Sequence, residues 1–186
     1  MLVLASASPR RHELLRNAGI EFVIHPANVP EIPRDGEAAR AFAERLAREK
    51  AHTVFAQRPN DLILGADTVV VVDGEILGKP RDAADATRML RKLSGRKHEV
   101  VTGVCIVGPR TDNTASESTF VVIGALSEDD IRAYVRTGEP MDKAGAYAIQ
   151  GMASRWISRI EGDYFNVVGL PVALVWRMLK EERGET

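Results

Sequence analysis

With a single cysteine in 186 residues, Cys105, the chain has no internal disulfide. That thiol sits in the apolar run Val104–Val107, where its expected part is packing. No apolar run approaches the roughly 18 residues a membrane-spanning helix requires, and Leu2–Ala5 is too short for the apolar region of a secretory signal. A cytoplasmic protein without a membrane partner is therefore expected. Neither sign of charge dominates. With 25 Lys+Arg against 26 Asp+Glu the formal net charge is -1, so nothing global advertises a nucleic-acid polymer, and any anion site has to be built locally. The histidines, His12, His25, His52 and His98, are scattered without ligand spacing, which argues against zinc. There is no Gly-x-x-x-x-Gly-Lys-Ser/Thr loop and no Gly-x-Gly-x-x-Gly after a strand. Their absence argues against a P-loop ATPase and a dinucleotide-binding dehydrogenase.

What is present is enough apolar residue, 45% of the chain, to build one core, and a single domain over residues 1–186 is expected. Leu2–Ala5 reads as a buried strand. Ser8 is placed to cap a helix whose first residue is Pro9, which carries Leu14, Leu15 and Ala18 inward and stops at Gly19. Ile20–Ile24 reads as a second strand. Apolar residues from Ala39 to Val54 recur at helical spacing within a long helix over Glu37–Gln57. Leu62–Val72 reads as a strand, with Asp73-Gly74 as a hairpin turn. A helix over Asp82–Leu93 follows, then strands Val100–Val107 and Thr119–Ile123. A helix opens with a capping box at Ser127 and closes at Gly138, and the last helix runs Pro171–Glu182. Strands alternating with helices, plus a hairpin, predict an α/β fold with a mixed sheet flanked by helices.

Several residues resist a purely structural reading. Lys50 lies in the apolar stripe of the long helix, so it has either a task or a stem that snorkels to water. Asp67 is a carboxylate inside an apolar, β-branched strand, costly to bury without a cation, a metal or several donors. Its other reading is a strand end satisfied by backbone amides. Arg10 and Arg11 place two cations on the first turn of a helix, where the macrodipole disfavours them unless an anion is bound; surface solvation is the plain alternative. Gly78-Lys79-Pro80 puts a lysine on a restrained loop, and the irregular stretch Gly138–Gly151 suits either a binding loop or a simple surface loop.

Together these segments resemble the Maf family of nucleoside triphosphate pyrophosphatases. The resemblance is carried by Leu4–Arg11, Arg48–Ala51, Gly65–Val70, Gly78–Pro80, Glu139–Gly151 and Val168–Pro171, in family order along nearly the whole chain. It implies an elongated α/β fold with a deep central cleft, like that of inosine triphosphatases, a divalent cation such as Mg²⁺ or Mn²⁺, and homodimeric assembly. By position, Asp67 resembles the catalytic carboxylate, while Arg10, Thr68 and Gln150 match positions associated with nucleotide selection. Lys50 and Lys79 match lysines at the phosphates. Glu31 matches an acidic position near the metal, within a segment that agrees loosely. Asp142–Tyr147 with Ile149-Gln150-Gly151 is similar to the subgroup acting on dTTP and UTP rather than on 7-methyl-GTP. Where Ile123 stands, relatives often have an aromatic residue.

The implied reaction splits a nucleoside triphosphate into the monophosphate and pyrophosphate, a nucleotide-pool housecleaning role. Asp67 would activate water, directly or through a metal that it and Glu31 hold. Arg10, Arg11, Lys50 and Lys79 would hold the triphosphate. Hard oxygen ligands favour Mg²⁺. Two other readings stand beside it: a pyrophosphatase for purine or modified nucleotides, and a nucleotide-sensing module in cell-division control whose catalytic groups are idle.

Overall fold

The computed structural model describes residues 1–185. Seven strands form one mixed sheet flanked by helices. In chain order the strands are β1 (Leu2–Leu4), β2 (Val23–Ile24), β3 (Leu62–Val72), β4 (Glu75–Leu77), β5 (Lys97–Gly108), β6 (Thr111–Ile123) and β7 (Ile157–Glu161). The helices are α1 (Pro9–Asn17), α2 (Ala39–Phe55), α3 (Ala83–Leu93), α4 (Glu128–Arg136), α5 (Tyr164–Val168) and α6 (Val172–Arg183), with short 3₁₀ turns between Glu139 and Trp156. The strand order is β2-β1-β3-β5-β6-β7, with β4 paired to β3. The β1 strand runs parallel to both β2 and β3, whereas β4 returns antiparallel along β3. Asp73 and Gly74 make that return with φ of 50° and 76°, the left-handed pair a tight hairpin requires.

Residue contacts divide the chain into two compact units. The first comprises Met1–Asp67, Thr102–Glu117 and the chain from Gly169 onward; the second comprises Thr68–Val101 and Ser118–Val168. In the first, α2 lies on β3 and β5 with its backbone unusually close. A Cβ on Gly65 would stand 2.1 Å from the Ala47 carbonyl oxygen, and one on Gly103 would stand 2.3 Å from that of Ala43. Only glycine permits this approach, and it draws Ala47, Ala51 and Val54 into a core with Val3, Ala5, Ile63, Cys105 and Val107. Burial pushes the Cys105 thiol up to about 11, so it packs as a protonated side chain. The second unit has its own core, in which Val70, Leu77, Leu90, Leu93, Ile131 and Tyr134 pack together.

Some local expectations change. Ser8 occupies the N-cap of α1, but its side chain makes no capping bond; its own amide instead donates to Ser6 Oγ at 3.2 Å. Ala18 is exposed rather than inward, because the helix ends at Asn17. Glu37 lies before α2, its carboxylate held by Arg45 at 2.6 Å. The second strand shrinks to two residues. By contrast, β6 begins eight residues earlier than expected, since pairing beside β5 recruits a polar stretch that has no apolar alternation. The Ser127 capping box forms, with Asp130 as the reciprocal partner. Among the described residues no helix is long and apolar enough to cross a membrane.

Candidate active site

The first unit holds five of the residues singled out from the sequence, Arg10, Arg11, Glu31, Lys50 and Asp67. Gly65 and Asp67 lie two apart on β3 and so share a face, and that face is the one α2 covers. Because α2 sits so close, Lys50, adjacent to Ala51, reaches Asp67 directly: Lys50 Nζ donates to Asp67 Oδ1 at 2.6 Å. The same ammonium donates to Glu31 Oε1 at 2.7 Å. The side chains of Lys50 and Asp67 are 9% and 8% exposed, whereas that of Glu31 is 37% exposed, so the triad runs from the interior to the surface. Lys50 therefore does not snorkel, and Asp67 is satisfied by a cation.

Arg11 completes the electrostatics from α1. It is buried rather than displayed beside Arg10: Nε donates to the Gly169 carbonyl at 2.8 Å and an Nη to Ser6 Oγ at 3.2 Å. Ser6 in turn receives the Ser8 amide, so one arginine fixes the turn between β1 and α1 and ties it to the segment before α6. Burial lowers the Arg11 pKa, with the nearby Asp67 charge acting in the opposite direction. For Asp67, burial raises the pKa above the ordinary carboxylate value, outweighing the pull of Lys50 and Arg11. A buried carboxylate made more basic by desolvation, yet held by a lysine, is suited to accepting a proton. Arg10, on the first turn of α1, is half-buried.

The remaining residues belong to the second unit. Thr68, next to Asp67 on β3, is half-buried. Lys79 is exposed on the loop after β4, whose Gly78 carbonyl accepts from the Gly145 amide at 3.1 Å. Gln150 is exposed on a turn closed by the Gly151 amide donating to the Ala148 carbonyl at 3.1 Å.

Glu31 and Asp67 converge on one ammonium and together offer two carboxylates to a cation. No group of three or more His, Cys, Asp or Glu among the described residues could hold a metal. Two carboxylates suit an ion that completes its shell from substrate phosphates and water, the usual manner of Mg²⁺, and do not suit a caged structural metal.

Sequence reasoning missed the buried Ser6, Arg11's bond to Gly169, and Gly65. Of these, only Gly65 left a legible mark: a lone glycine inside an apolar strand signals close backbone approach.

This α/β architecture is that of the Staphylococcus aureus Ham1 protein, which superposes with a TM-score of 0.55 over 97% of this chain and 98% of that one, at 15% identity, a likeness of fold alone. The sequence is more specific. A family model described as Maf-like protein matches residues 1–182, and the chain belongs to the Maf family. It is 58% identical over 96% of its length to a protein named dTTP/UTP pyrophosphatase from Koribacter versatilis, covering 93% of that relative. Relatives of the same name from Geobacter sulfurreducens and Symbiobacterium thermophilum are 54% and 52% identical. The matches cover 94% and 97% of this chain and 92% and 93% of those relatives.

Proposed function

We propose that the protein hydrolyses dTTP and UTP to the monophosphate and pyrophosphate. The observation that carries this reading is the buried Lys50–Asp67 pair at 2.6 Å with Glu31 on the same ammonium, in a chain whose relatives bear that activity in their name. A sensor has no use for a desolvated base bracketed by a cation.

In the reaction, Asp67 accepts a proton from a water whose oxygen bonds to the α-phosphorus, and the bond from that phosphorus to the bridging oxygen breaks as pyrophosphate leaves. Lys50, already desolvated, lies beside the developing negative charge without reorganising. Arg10 and Lys79 contact the phosphates; Arg11 contributes its buried charge and holds the Ser6–Ser8 turn at the start of α1, the end of the helix dipole that favours an anion. When bound, a divalent cation on Glu31 and Asp67 would supply charge neutralisation at the phosphate oxygens. Gln150, assisted by Thr68 and Arg10, reads the base: its amide offers one donor and one acceptor to the carbonyl and N3–H edge that uracil and thymine share. Homodimeric assembly, a cytoplasmic location and a housecleaning role belong to the same proposal.

The test is product identity. Purified protein with Mg²⁺ is incubated with dTTP, UTP, CTP, GTP and modified triphosphates in turn. Pyrophosphate plus monophosphate, fastest from dTTP and UTP, supports the reading; orthophosphate plus diphosphate, or tight binding without turnover, overturns it.

A further inference from the structure

Within the second unit, one carboxylate organises the chain around Gln150. Glu139 follows Gly138, whose left-handed backbone (φ 76°) ends the turn after α4. Its Oε1 accepts from the Tyr134 hydroxyl at 2.8 Å, and the Met152 amide donates to Oε1 at 3.1 Å and to Oε2 at 3.3 Å. The Tyr134 oxygen in turn accepts from the Ala148 amide at 3.3 Å. Ala148 and Met152 stand two residues before and two residues after Gln150, so both flanks of that turn are tied to a single carboxylate–phenol pair.

The anchor is rigid. Tyr134 is fully buried and meets Trp156 edge-on, ring centroids 5.4 Å apart. Burial and the Glu139 charge hold the Tyr134 hydroxyl well above its usual pKa, so it remains a donor. Gly151 leaves room for the Glu139 carboxylate: a Cβ at that position would lie 2.2 Å from Glu139 Oε1, and the side chain would have to shift. Its φ of -98° is open to any residue, so what a side chain there would disturb is the carboxylate's approach. Gln150 itself remains exposed, with Ile149 and Ala148 buried before it.

We propose that Glu139 is a positioning residue for base selectivity, acting through the backbone on either side of Gln150. This rests on the reading that Gln150 recognises the base. The partners of the Glu139 side chain are all donors, and a carboxylate accepts from them with both oxygens. An amide can accept through one oxygen only, and turns its own N–H groups toward Tyr134 or Met152. A selecting side chain is only as discriminating as the shell that holds it.

The experiment measures kcat and KM for UTP, dTTP, CTP and GTP with wild type, Gln150→Ala, Glu139→Gln and the double variant, with melting temperatures for all. Tyr134→Phe, which removes the hydroxyl bridge to Ala148, is the second probe should Glu139→Gln not fold. Gln150→Ala is expected to lower kcat/KM for UTP and dTTP about tenfold or more and to narrow their lead over CTP and GTP. Glu139→Gln is expected to narrow the same lead at least threefold, mostly through KM, and to add little selectivity loss to Gln150→Ala, because both act on one contact. An equal loss on all four substrates in Glu139→Gln, or additive losses in the double variant, would reduce Glu139 to a structural role and overturn the proposal. If Gln150→Ala narrows the lead and both Glu139→Gln and Tyr134→Phe leave it intact, the proposal fails while the reading of Gln150 stands. If Gln150→Ala itself leaves selectivity unchanged, that reading fails and takes the proposal with it.

Discussion

At the scale of single residues, the central arrangement is one lysine shared by two carboxylates of unequal burial, and this asymmetry makes the partners respond differently to mutation. Asp67→Asn is nearly isosteric and leaves Lys50 paired with Glu31, so the fold should persist while proton acceptance is lost. The expected fall in kcat is on the order of 10²–10⁴-fold, and stopped-time pyrophosphate assays check it. Lys50→Met takes the ammonium from Asp67, which is nearly inaccessible to water and must then rely on the Arg11 charge or take up a proton. Breaking a buried pair from one side costs about 3–5 kcal/mol, and protonation of Asp67 moderates that figure. Urea denaturation at pH 7 should therefore rank Lys50→Met as clearly less stable than Asp67→Asn. The double variant Lys50→Met/Asp67→Asn should recover part of the loss, because no charge is left buried without a partner. Equal stabilities for the two single variants would mean that Glu31, not Asp67, is the main partner of Lys50.

At the scale of elements, the site exists because α2 descends onto β3 until only a glycine fits between them. Gly65→Ala would put a methyl group within 2.1 Å of the Ala47 carbonyl oxygen, forcing the helix outward. A cost on the order of 1–3 kcal/mol is expected from the overpacking. Activity should fall further than stability, because the shift widens the Lys50–Asp67 separation. Combined melting and kinetic measurements on this variant check both. Much of this level was legible in the sequence. The strand Leu62–Val72 is apolar apart from Gly65, Asp67 and Thr68 and its bounds match those expected, and Lys50 and Asp67 stood out because charge interrupts a pattern made of Val, Ile, Leu and Ala. The polar start of β6 was not legible, since Thr111–Ser118 become strand through pairing and not through their own alternation. Nor were the bonds of Arg11 to Gly169 and of Glu139 to Met152, the first of which joins residues 158 apart. Long-range polar contacts leave no local periodicity to read.

At the scale of the whole molecule, net charge near zero means that resistance to acid depends on particular groups, and a buried histidine supplies one that is remote in kind from catalysis. His98 is 2% exposed; its Nε2 lies 2.7 Å from the Tyr147 hydroxyl and the ring meets that tyrosine edge-on, while Nδ1 has no hydrogen-bond partner among the described residues. Burial pushes its pKa down to about 4, from the ordinary 6.5. Between these two values the unfolded chain binds a proton that the native protein refuses, so stability rises with pH across that window. The contribution is fully present above pH 6.5 and is lost as the pH falls toward 4, amounting to on the order of 3 kcal/mol at the lower end. Urea denaturation at half-unit steps from pH 7 to pH 4 should show this decline. His98→Gln can keep a polar atom near the Tyr147 hydroxyl and does not titrate. Its stability at pH 7 should be lower than that of wild type, because an amide packs less well in the ring's place, and its decline between pH 6.5 and 4 should be much shallower. An unchanged slope in His98→Gln would mean that His98 does not govern the decline; the carboxylates held by Arg45, Arg58, Arg88 and Arg91 lose their contribution at lower pH, among them Glu37, whose pKa of about 2 places its loss of charge well below this window.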